Sequence, residues 1–234
     1  MRKKISFVLK ILAIIASLGG VLLSMFFAQE HGYSHWGRRM LYFTTLSNIW
    51  IGITLLIVVL LPIINKKQNG KVTRFVYMLK YIFTVSITIT GIIFCGFLAP
   101  FAPDEYAVWT FSSLCTHVFA PSLAIADFFV DDYHFEFKKT EVLYSTLPPF
   151  IYFIFSCILF LLHVDFGRGD TFPYFFLNLK SPAGIFGFSD QMPYKIGTFY
   201  WLVMILCMVL SIGWLYNRLH PSTIRKKKQS KKTP

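Results

Sequence analysis

The chain has 234 residues, of which 55% are hydrophobic, 18% aromatic and only 15% charged, and its mean hydropathy is +0.57. A soluble domain of this length carries more charge and cannot hide so much apolar surface, so the composition excludes an ordinary soluble globular protein. The net charge of +12 is segregated from long windows that hold almost no charge, a pattern typical of a polytopic membrane protein.

Apolar segments recur along the whole chain. They cover about residues 5–27, 41–64, 75–99, 107–130, 143–163 and 196–217. Each is long enough to cross a ~30 Å hydrocarbon core as a helix, and none alternates like a strand of a membrane barrel. The first segment follows a basic start, as in a signal peptide, but it is longer than a signal-peptide core. We expect one all-α domain over 1–220, a bundle of six transmembrane helices, followed by a flexible basic tail over 221–234.

Basic residues are concentrated at one set of the predicted helix ends. That set holds Arg2, Lys3, Lys4, Lys66, Lys67, Lys71, Arg74, Lys138, Lys139, Arg218 and the tail, whereas the other holds Arg38, Arg39, Arg168, Lys180 and Lys195. The positive-inside rule therefore predicts a multi-pass protein of the cell membrane with both termini cytoplasmic. The tail is expected to lie against anionic lipid headgroups. It lacks the aromatic residues and the fold of a nucleic-acid-binding segment, so no nucleic-acid partner is predicted.

The second segment begins with "YFTTLSNIW", which places hydroxyls and an amide at the start of an apolar helix. Thr44, Ser47 and Asn48 share one helical face, while Thr45 points about 100° away from it. Such groups either form hydrogen bonds between helices or belong to a functional site, and both interpretations stay open. The hydroxyls of the third segment (Thr84, Ser86, Thr88 and Thr90) are interpreted as helix packing.

Ionisable side chains within the spans are costly, at ~2.5–3.5 kcal/mol near the helix centre, so each needs a reason. Lys10 and Lys80 lie near predicted cytoplasmic ends and are expected to snorkel to the interface. Asp127 lies near the same predicted interface. Three interpretations of it stay open: a hydrated carboxylate, a partner of Lys80, and a buried residue that forms hydrogen bonds to neighbouring helices. His117 lies deeper, and Pro121 is expected to leave the His117 carbonyl without its helical donor. His117 is therefore either a structural residue or a catalytic base.

The loops contain further candidates. The segment 164–195 is rich in glycine, proline and aromatic residues, so we expect it to carry function or to cap the bundle; Tyr174 is a candidate for substrate binding. His31, His35, His163, Asp165 and Asp170 lie on the same predicted side but match no specific zinc motif, so neither a metal nor a cofactor is predicted. The cysteines (Cys95, Cys115, Cys157 and Cys207) form no CxxC pair and are expected to be buried free thiols.

Three elements in chain order carry a family resemblance: "YFTTLSN", "HVFAPSLAIAD" and "FPYFFLN". In a six-span chain, this arrangement resembles the androgen-induced and androgen-dependent membrane hydrolases and their bacterial six-helix relatives. In the animal members a threonine and a histidine carry hydrolysis of fatty acid esters of hydroxy fatty acids. The resemblance implies that Thr44 is the nucleophile and His117 the base. Thr45 adjoins Thr44 as an alternative nucleophile, and Phe175 is an extra aromatic within the third element.

A hydrolase of this kind uses a base to take the proton of a threonine hydroxyl and forms an acyl-threonine intermediate. Ser47 or Asn48 is the expected hydrogen-bond donor to the oxyanion, and a fatty-acyl ester is expected to enter from the bilayer. Two other functions fit the same residues. One is a non-catalytic protein that binds or transports a lipid or another hydrophobic ligand, and the other is a purely structural membrane protein.

Overall fold

A computed structural model of the chain describes residues 1–65, 70–102, 108–131, 138–167, 171–191 and 193–220. The predicted tail over 221–234 lies outside the described residues. The same is true of four charged residues considered above, Lys66, Lys67, Arg168 and Asp170.

Most of the described residues are helical and none forms a strand, and six of their helices are long and apolar enough to cross a membrane. In chain order these are α1 (Arg2–Phe26), α2 (Phe43–Ile64), α3 (Gly70–Phe101), α4 (Phe111–Val130), α5 (Lys139–Leu161) and α6 (Thr198–Leu219). Each coincides with one predicted segment, which confirms the all-α, six-helix part of the prediction. The bounds differ most at α3, because its polar first turn, before Phe75, continues the helix without contributing to the apolar run.

The first four long helices pack together: α2 lies against α3, α1 against α4 and α2, and α4 against α3. The remaining two, α5 and α6, lie beside α3, and α6 also contacts the tight first turns of α5. Close approach depends on small residues. A Cβ atom at Gly52 would lie 2.7 Å from the side chains of Leu18 and Ser17, so α1 and α2 can be this close only because Gly52 lacks one.

Helices α1, α3 and α4 each contain a π-helical turn, at Ile15–Gly19, Phe94–Leu98 and Cys115–Phe119. A π-helical turn carries one extra residue per turn, so it redirects side chains and shifts the backbone hydrogen bonds to a spacing of five residues. Two of these turns lie beside the cavity described below. The apolar pattern of the sequence gives no indication of these turns.

A buried cluster of charges lies where α1, α3 and α4 meet. The Lys10 ammonium is 2.9 Å from Asp127 and 3.0 Å from Asp131, and the Lys80 ammonium is 2.6 Å and 2.5 Å from the same carboxylates. Ser6 donates a 2.7 Å hydrogen bond to Asp127. Burial raises the pKa of the Asp131 carboxyl, but the neighbouring Lys80 and Lys10 lower it more, so the pKa lies below its ordinary value.

This cluster corrects the prediction for both lysines. Lys10 and Lys80 are 6% and 2% exposed, so neither reaches the interface; each is paired inside the bundle. Asp127 is 0% exposed, which excludes the hydrated carboxylate and leaves the Lys80 partner and buried hydrogen-bonding interpretations together. The partners are far apart in the sequence, so no local pattern could join them.

The long loop between α5 and α6 packs into the bundle. Phe166, Phe172 and Phe176 are buried, and Phe176 belongs to the same apolar core as Tyr81 of α3 and Trp201 of α6. The aromatic part of the loop thus closes one end of the bundle.

The cysteines are all free thiols, but their burial differs from the prediction. Cys115 is buried, whereas Cys95 and Cys207 are exposed on the outer faces of their helices. A membrane offers an apolar exterior, so an apolar run does not by itself indicate a buried position.

Candidate functional site

A cavity of about 840 Å³ opens at the end of the bundle where α2 and α4 begin. Its wall combines the start of α2, the π-helical turn of α4, the tight turn Trp36–Leu41 and the loop between α5 and α6. Thr44, Thr45, His117 and Tyr174 all line it. A volume in this range accommodates a drug-sized or lipid-sized ligand.

Thr44 is held by Tyr174 at the N-terminus of α2. The helix begins at Phe43 after the extended residue Tyr42, so the first backbone N–H groups have no partner within the helix. The Thr44 N–H donates to the Tyr174 hydroxyl oxygen at 3.3 Å, and the Thr44 Oγ1 lies 3.4 Å from the same oxygen. The Tyr174 hydroxyl therefore caps the helix and touches the threonine side chain at once.

Tyr174 stays a neutral phenol. Burial raises its pKa, and the hydrogen bonds from Thr44 offset only part of that effect. Its ring stacks on Phe176 with 5.1 Å between centroids, which fixes it in the loop that closes the bundle. A neutral, fixed phenol keeps an O–H proton that can be donated toward the cavity.

The surroundings of His117 determine which ring nitrogen carries the proton. Nδ1 lies 2.9 Å from the backbone carbonyl oxygen of Ser113, and a carbonyl can only accept a hydrogen bond. We therefore assign the proton to Nδ1, which leaves Nε2 with its lone pair. Within the described part of the chain Nε2 has no hydrogen-bond partner. The ring also stacks on Phe94 at 3.6 Å between centroids, so its plane is fixed.

Pro121 acts on a different carbonyl from the predicted one. Within the π-helical turn the Ala120 N–H donates to the Cys115 carbonyl, so the missing N–H of Pro121 would have served Thr116. The Asn48 Nδ2 supplies that bond instead and donates to the Thr116 carbonyl at 3.0 Å. The prediction of an unpartnered carbonyl at His117 assumed a regular α-helix, whereas Cys115–Phe119 forms a π-helical turn.

Ser47 and Asn48 do not line the cavity, although sequence analysis placed them beside Thr44 on one face. Both are fully buried. The Ser47 hydroxyl donates to the Thr44 carbonyl and pairs with Thr90 at 2.8 Å, and Asn48 joins α2 to α4. Their positions match helix packing and not the expected role of oxyanion donors. Thr44 differs because it lies in the first turn, at the rim of the bundle.

Thr45 lines the cavity although it was expected to point away from Thr44. It is 6% exposed, so its side chain is less accessible than that of Thr44, which is only partly buried. Asp127 lies in the charge cluster and not in the cavity, so the structure separates it from the other candidates.

Two residues near the site were missed by sequence reasoning. Ser113 orients His117 through its carbonyl oxygen, and its position four residues earlier in the helix could have indicated this contact. Arg39 lines the cavity, but it was considered only as part of the charge distribution of the loops. Arg39 lies shortly before the polar start of α2, and this position could have indicated that it belongs to the site.

A second, apolar cavity of about 70 Å³ borders the same threonine and tyrosine from the other side. Thr44 and Tyr174 line both cavities, and the apolar one continues between Ile93, Phe176 and Leu202. A ligand at Thr44 would thus meet a polar space on one side and an apolar space on the other.

No group of three or more His, Cys, Asp or Glu side chains within the described ranges could hold a metal ion. Comparisons of the chain with protein-family models, with curated proteins and with solved structures found no match.

Proposed function

We propose that the chain is an integral membrane hydrolase of fatty-acyl esters, with Thr44 as the nucleophile and His117 as the base. The observation that carries the proposal is that both side chains line one cavity of about 840 Å³, where the unprotonated His117 Nε2 has no hydrogen-bond partner among the described residues. The resemblance of "YFTTLSN" and "HVFAPSLAIAD" to the membrane hydrolases of fatty acid esters supports the same roles.

In the proposed reaction the Thr44 hydroxyl oxygen attacks the ester carbonyl carbon while His117 Nε2 takes the hydroxyl proton. The tetrahedral intermediate collapses, the bond to the alcohol oxygen breaks, and the alcohol leaves with the proton from His117. Water then attacks the acyl-threonine with His117 again as the base, which releases the fatty acid and restores the threonine. No cofactor takes part in these steps.

The oxyanion would be stabilised at the start of α2. Tyr174 is positioned for this role because its hydroxyl touches Thr44 and keeps its proton. The N-terminus of a helix of this length adds a favourable field for negative charge. Tyr174 thus takes the place that sequence analysis gave to Ser47 and Asn48.

The substrate would reach the site from the bilayer, with the acyl chain directed toward the apolar cavity between Phe176 and Leu202. We place the protein in the cell membrane with both termini cytoplasmic, so the cavity faces the outer leaflet. The lipid bilayer and a fatty-acyl ester are its proposed partners.

A second candidate function is binding or transport of a lipid without catalysis. It is favoured by one observation, that no hydrogen bond joins Thr44 to His117 in the described structure. Hydrogen bonds between catalytic groups are often long without substrate and tighten when it binds, so the observation does not exclude hydrolysis.

Labelling with a fluorophosphonate probe tests the proposal directly, because the probe reacts only with an activated nucleophile. The purified protein would be labelled alongside Thr44→Ala, His117→Ala and the neighbouring Thr45→Ala. We expect labelling to be lost in the first, strongly reduced in the second and retained in the third. Labelling that persists in both Thr44→Ala and His117→Ala would contradict the assignment, and a protein that binds lipid but never labels would favour the second function.

A further inference from the structure

We propose that Arg39 binds an anionic group, a carboxylate or a phosphate, on the lipid that occupies the 840 Å³ cavity. Arg39 belongs to the tight turn Trp36–Leu41, which leads directly into α2 and Thr44. If the anionic lipid is the substrate, this proposal rests on the proposed hydrolase function. If the lipid is a bound ligand that is not hydrolysed, the proposal does not depend on that function.

The guanidinium of Arg39 is held in place by Tyr33. Its central carbon lies 4.5 Å from the centre of the Tyr33 ring, and its Nη1 donates to the Tyr33 hydroxyl oxygen at 3.3 Å. Tyr33 is itself buried, at 6% exposed. The Tyr33 ring thus supports one face of the guanidinium, and the Tyr33 hydroxyl accepts from one of its five N–H donors.

The other donors of Arg39 are not matched by an acidic side chain. Its Nε is buried without a hydrogen-bond partner, and among the residues that the structure describes Arg39 forms no ion pair. Leaving a charged donor buried and unpaired is unfavourable, and an anion supplied by a ligand would remove that cost.

The neighbouring Arg38 shows the contrast. Its Nη1 donates to the backbone carbonyl of Asp165, which ties the Trp36–Leu41 turn to the loop after α5. Arg38 is not part of the cavity wall, whereas Arg39 is. Two adjacent arginines therefore do different work, one in holding the loop and one in facing the cavity.

Other charged groups near Arg39 are compatible with an anionic ligand. Glu30 lines the same cavity, but its side chain is exposed and no ion pair joins it to Arg39. The same wall also carries two histidines, His31 and His117. Because a guanidinium presents parallel N–H donors, it can bind a carboxylate or a phosphate with two hydrogen bonds.

The test measures binding and not turnover. The Thr44→Ala protein, purified in a neutral maltoside detergent that carries no phosphate, would be titrated with oleate, methyl oleate and oleoyl lysophosphatidate. We expect at least one anionic lipid to bind about tenfold more tightly than methyl oleate, and the stronger of the two identifies the carboxylate or the phosphate as the preferred group. Equal binding of all three lipids would overturn the proposal.

Variants then assign the preference to Arg39. In Arg39→Gln the advantage of the anionic lipid over methyl oleate should disappear, Arg39→Lys should keep part of it, and the matched control Arg38→Gln should keep all of it. A preference that survives Arg39→Gln, or one lost equally in Arg38→Gln, contradicts the proposal. The comparison among lipids needs no variant at position 39, so equal binding of all three lipids overturns the proposal even if Arg39→Gln fails to fold.

The outcome is separate from that of the labelling experiment. An Arg39-dependent preference for anionic lipids in a protein that never labels at Thr44 would support this site and contradict the hydrolase. Labelling at Thr44 in a protein that binds oleate, methyl oleate and oleoyl lysophosphatidate equally would do the reverse.

Discussion

At the scale of single residues, the site depends on how two side chains are held. The Ser113 carbonyl fixes the tautomer of His117, and the Tyr174 hydroxyl binds both the backbone N–H and the Oγ1 of Thr44. Neither contact is between Thr44 and His117 themselves. In the proposed reaction, the hydrogen bond between the Thr44 hydroxyl and His117 Nε2 would form when substrate binds.

Tyr174→Phe tests the proposed oxyanion donor. The change removes a hydroxyl beside Thr44 and keeps the ring that packs on Phe176, so we expect kcat for ester hydrolysis to fall about 100-fold with little change in KM. Since burial raises the pKa of Tyr174, the wild-type donor should stay protonated, and the activity should not fall as the pH approaches ~10, the ordinary tyrosine value.

Tyr194→Phe is the matched control for that change. Tyr194 belongs to the same loop, but its hydroxyl donates to the Gly96 carbonyl and it does not line the cavity. We expect its kcat to remain near the wild-type value. A similar loss in both variants would show that the loop as a whole is disturbed and that Tyr174 has no special role.

At the residue level, the sequence was informative where the signal was local. The run "YFTTLSN" and the histidine of the fourth segment indicated Thr44 and His117, and the structure brings both to one cavity. The sequence was less informative for Ser47 and Asn48, because helical periodicity tells which residues share a face but not which depth of that face is covered by a neighbouring helix. The covering residues, such as Thr90 and Thr116, are distant in the sequence.

At the scale of helices, adjacent glycines in α1 show how close packing positions the site. A Cβ atom at Gly20 would lie 2.8 Å from the Cβ of Cys115 and 2.9 Å from the Thr116 side chain, both in the π-helical turn that carries His117. A Cβ atom at Gly19 would meet nothing within 4 Å. The two positions differ only in whether they face α4.

We therefore expect Gly20→Ala to destabilise the protein by about 1–3 kcal/mol, because α1 and α4 must move apart. Gly19→Ala should be neutral or stabilise it by up to about 1 kcal/mol, because alanine favours the helix. Thermal unfolding of the two variants in the same detergent measures the difference. Equal melting temperatures would mean that α1 and α4 do not approach as closely as the structure has them.

The charge cluster makes a second prediction at this scale. Asp127→Asn leaves Lys10 and Lys80 with one carboxylate between them inside the bundle, and such an uncompensated buried charge costs about 3–5 kcal/mol. We expect a lower melting temperature for Asp127→Asn and partial recovery when Lys10→Met is added, since the pair is then removed together.

The control for this prediction is an exposed ion pair. Lys195 lies 2.5 Å from Asp190, with side chains 69% and 86% exposed, so Lys195→Gln should leave the melting temperature almost unchanged. If Asp127→Asn were as stable as Lys195→Gln, the buried cluster would contribute no more than a surface pair.

Helix existence was predictable from the sequence, whereas helix irregularity was not. Apolar length alone identified all six long helices, because a bilayer requires about 20 apolar residues for each crossing. The π-helical turns at Ile15–Gly19, Phe94–Leu98 and Cys115–Phe119 leave no mark in that measure. In the Cys115–Phe119 turn, the Thr116 carbonyl accepts its hydrogen bond from Asn48 of α2, a residue far away in the sequence, so no local pattern could indicate it.

At the scale of the whole molecule, the two ends of the bundle differ in character. One end holds the first residues of α1 and the last residues of α6 and, just inside it, the charge cluster of Lys10, Lys80, Asp127 and Asp131. The other end holds the cavity and the loop that packs over it through Phe172 and Phe176. The charge cluster and the proposed reaction site thus lie at opposite ends of the bundle. We therefore expect changes in the charge cluster to alter mainly the melting temperature and changes in the cavity to alter mainly the activity.

The distribution of basic residues predicts which end is cytoplasmic. In the sequence, sixteen of the 23 lysines and arginines flank the predicted cytoplasmic ends of the helices and five flank the opposite ends, whereas Lys10 and Lys80 belong to the charge cluster. Because basic loops are retained in the cytoplasm, we expect the cavity to open away from it.

Fusion reporters in a bacterial host measure this orientation. Green fluorescent protein after Pro234 should fluoresce and alkaline phosphatase at the same point should be inactive, since each reporter folds on one side only. Phosphatase inserted at Gly184, in the loop between α5 and α6 where added atoms meet nothing within 4 Å, should be active. An active phosphatase after Pro234 together with an inactive one at Gly184 would invert the topology. The cavity, and with it the route of any ester to Thr44, would then open toward the cytoplasmic leaflet.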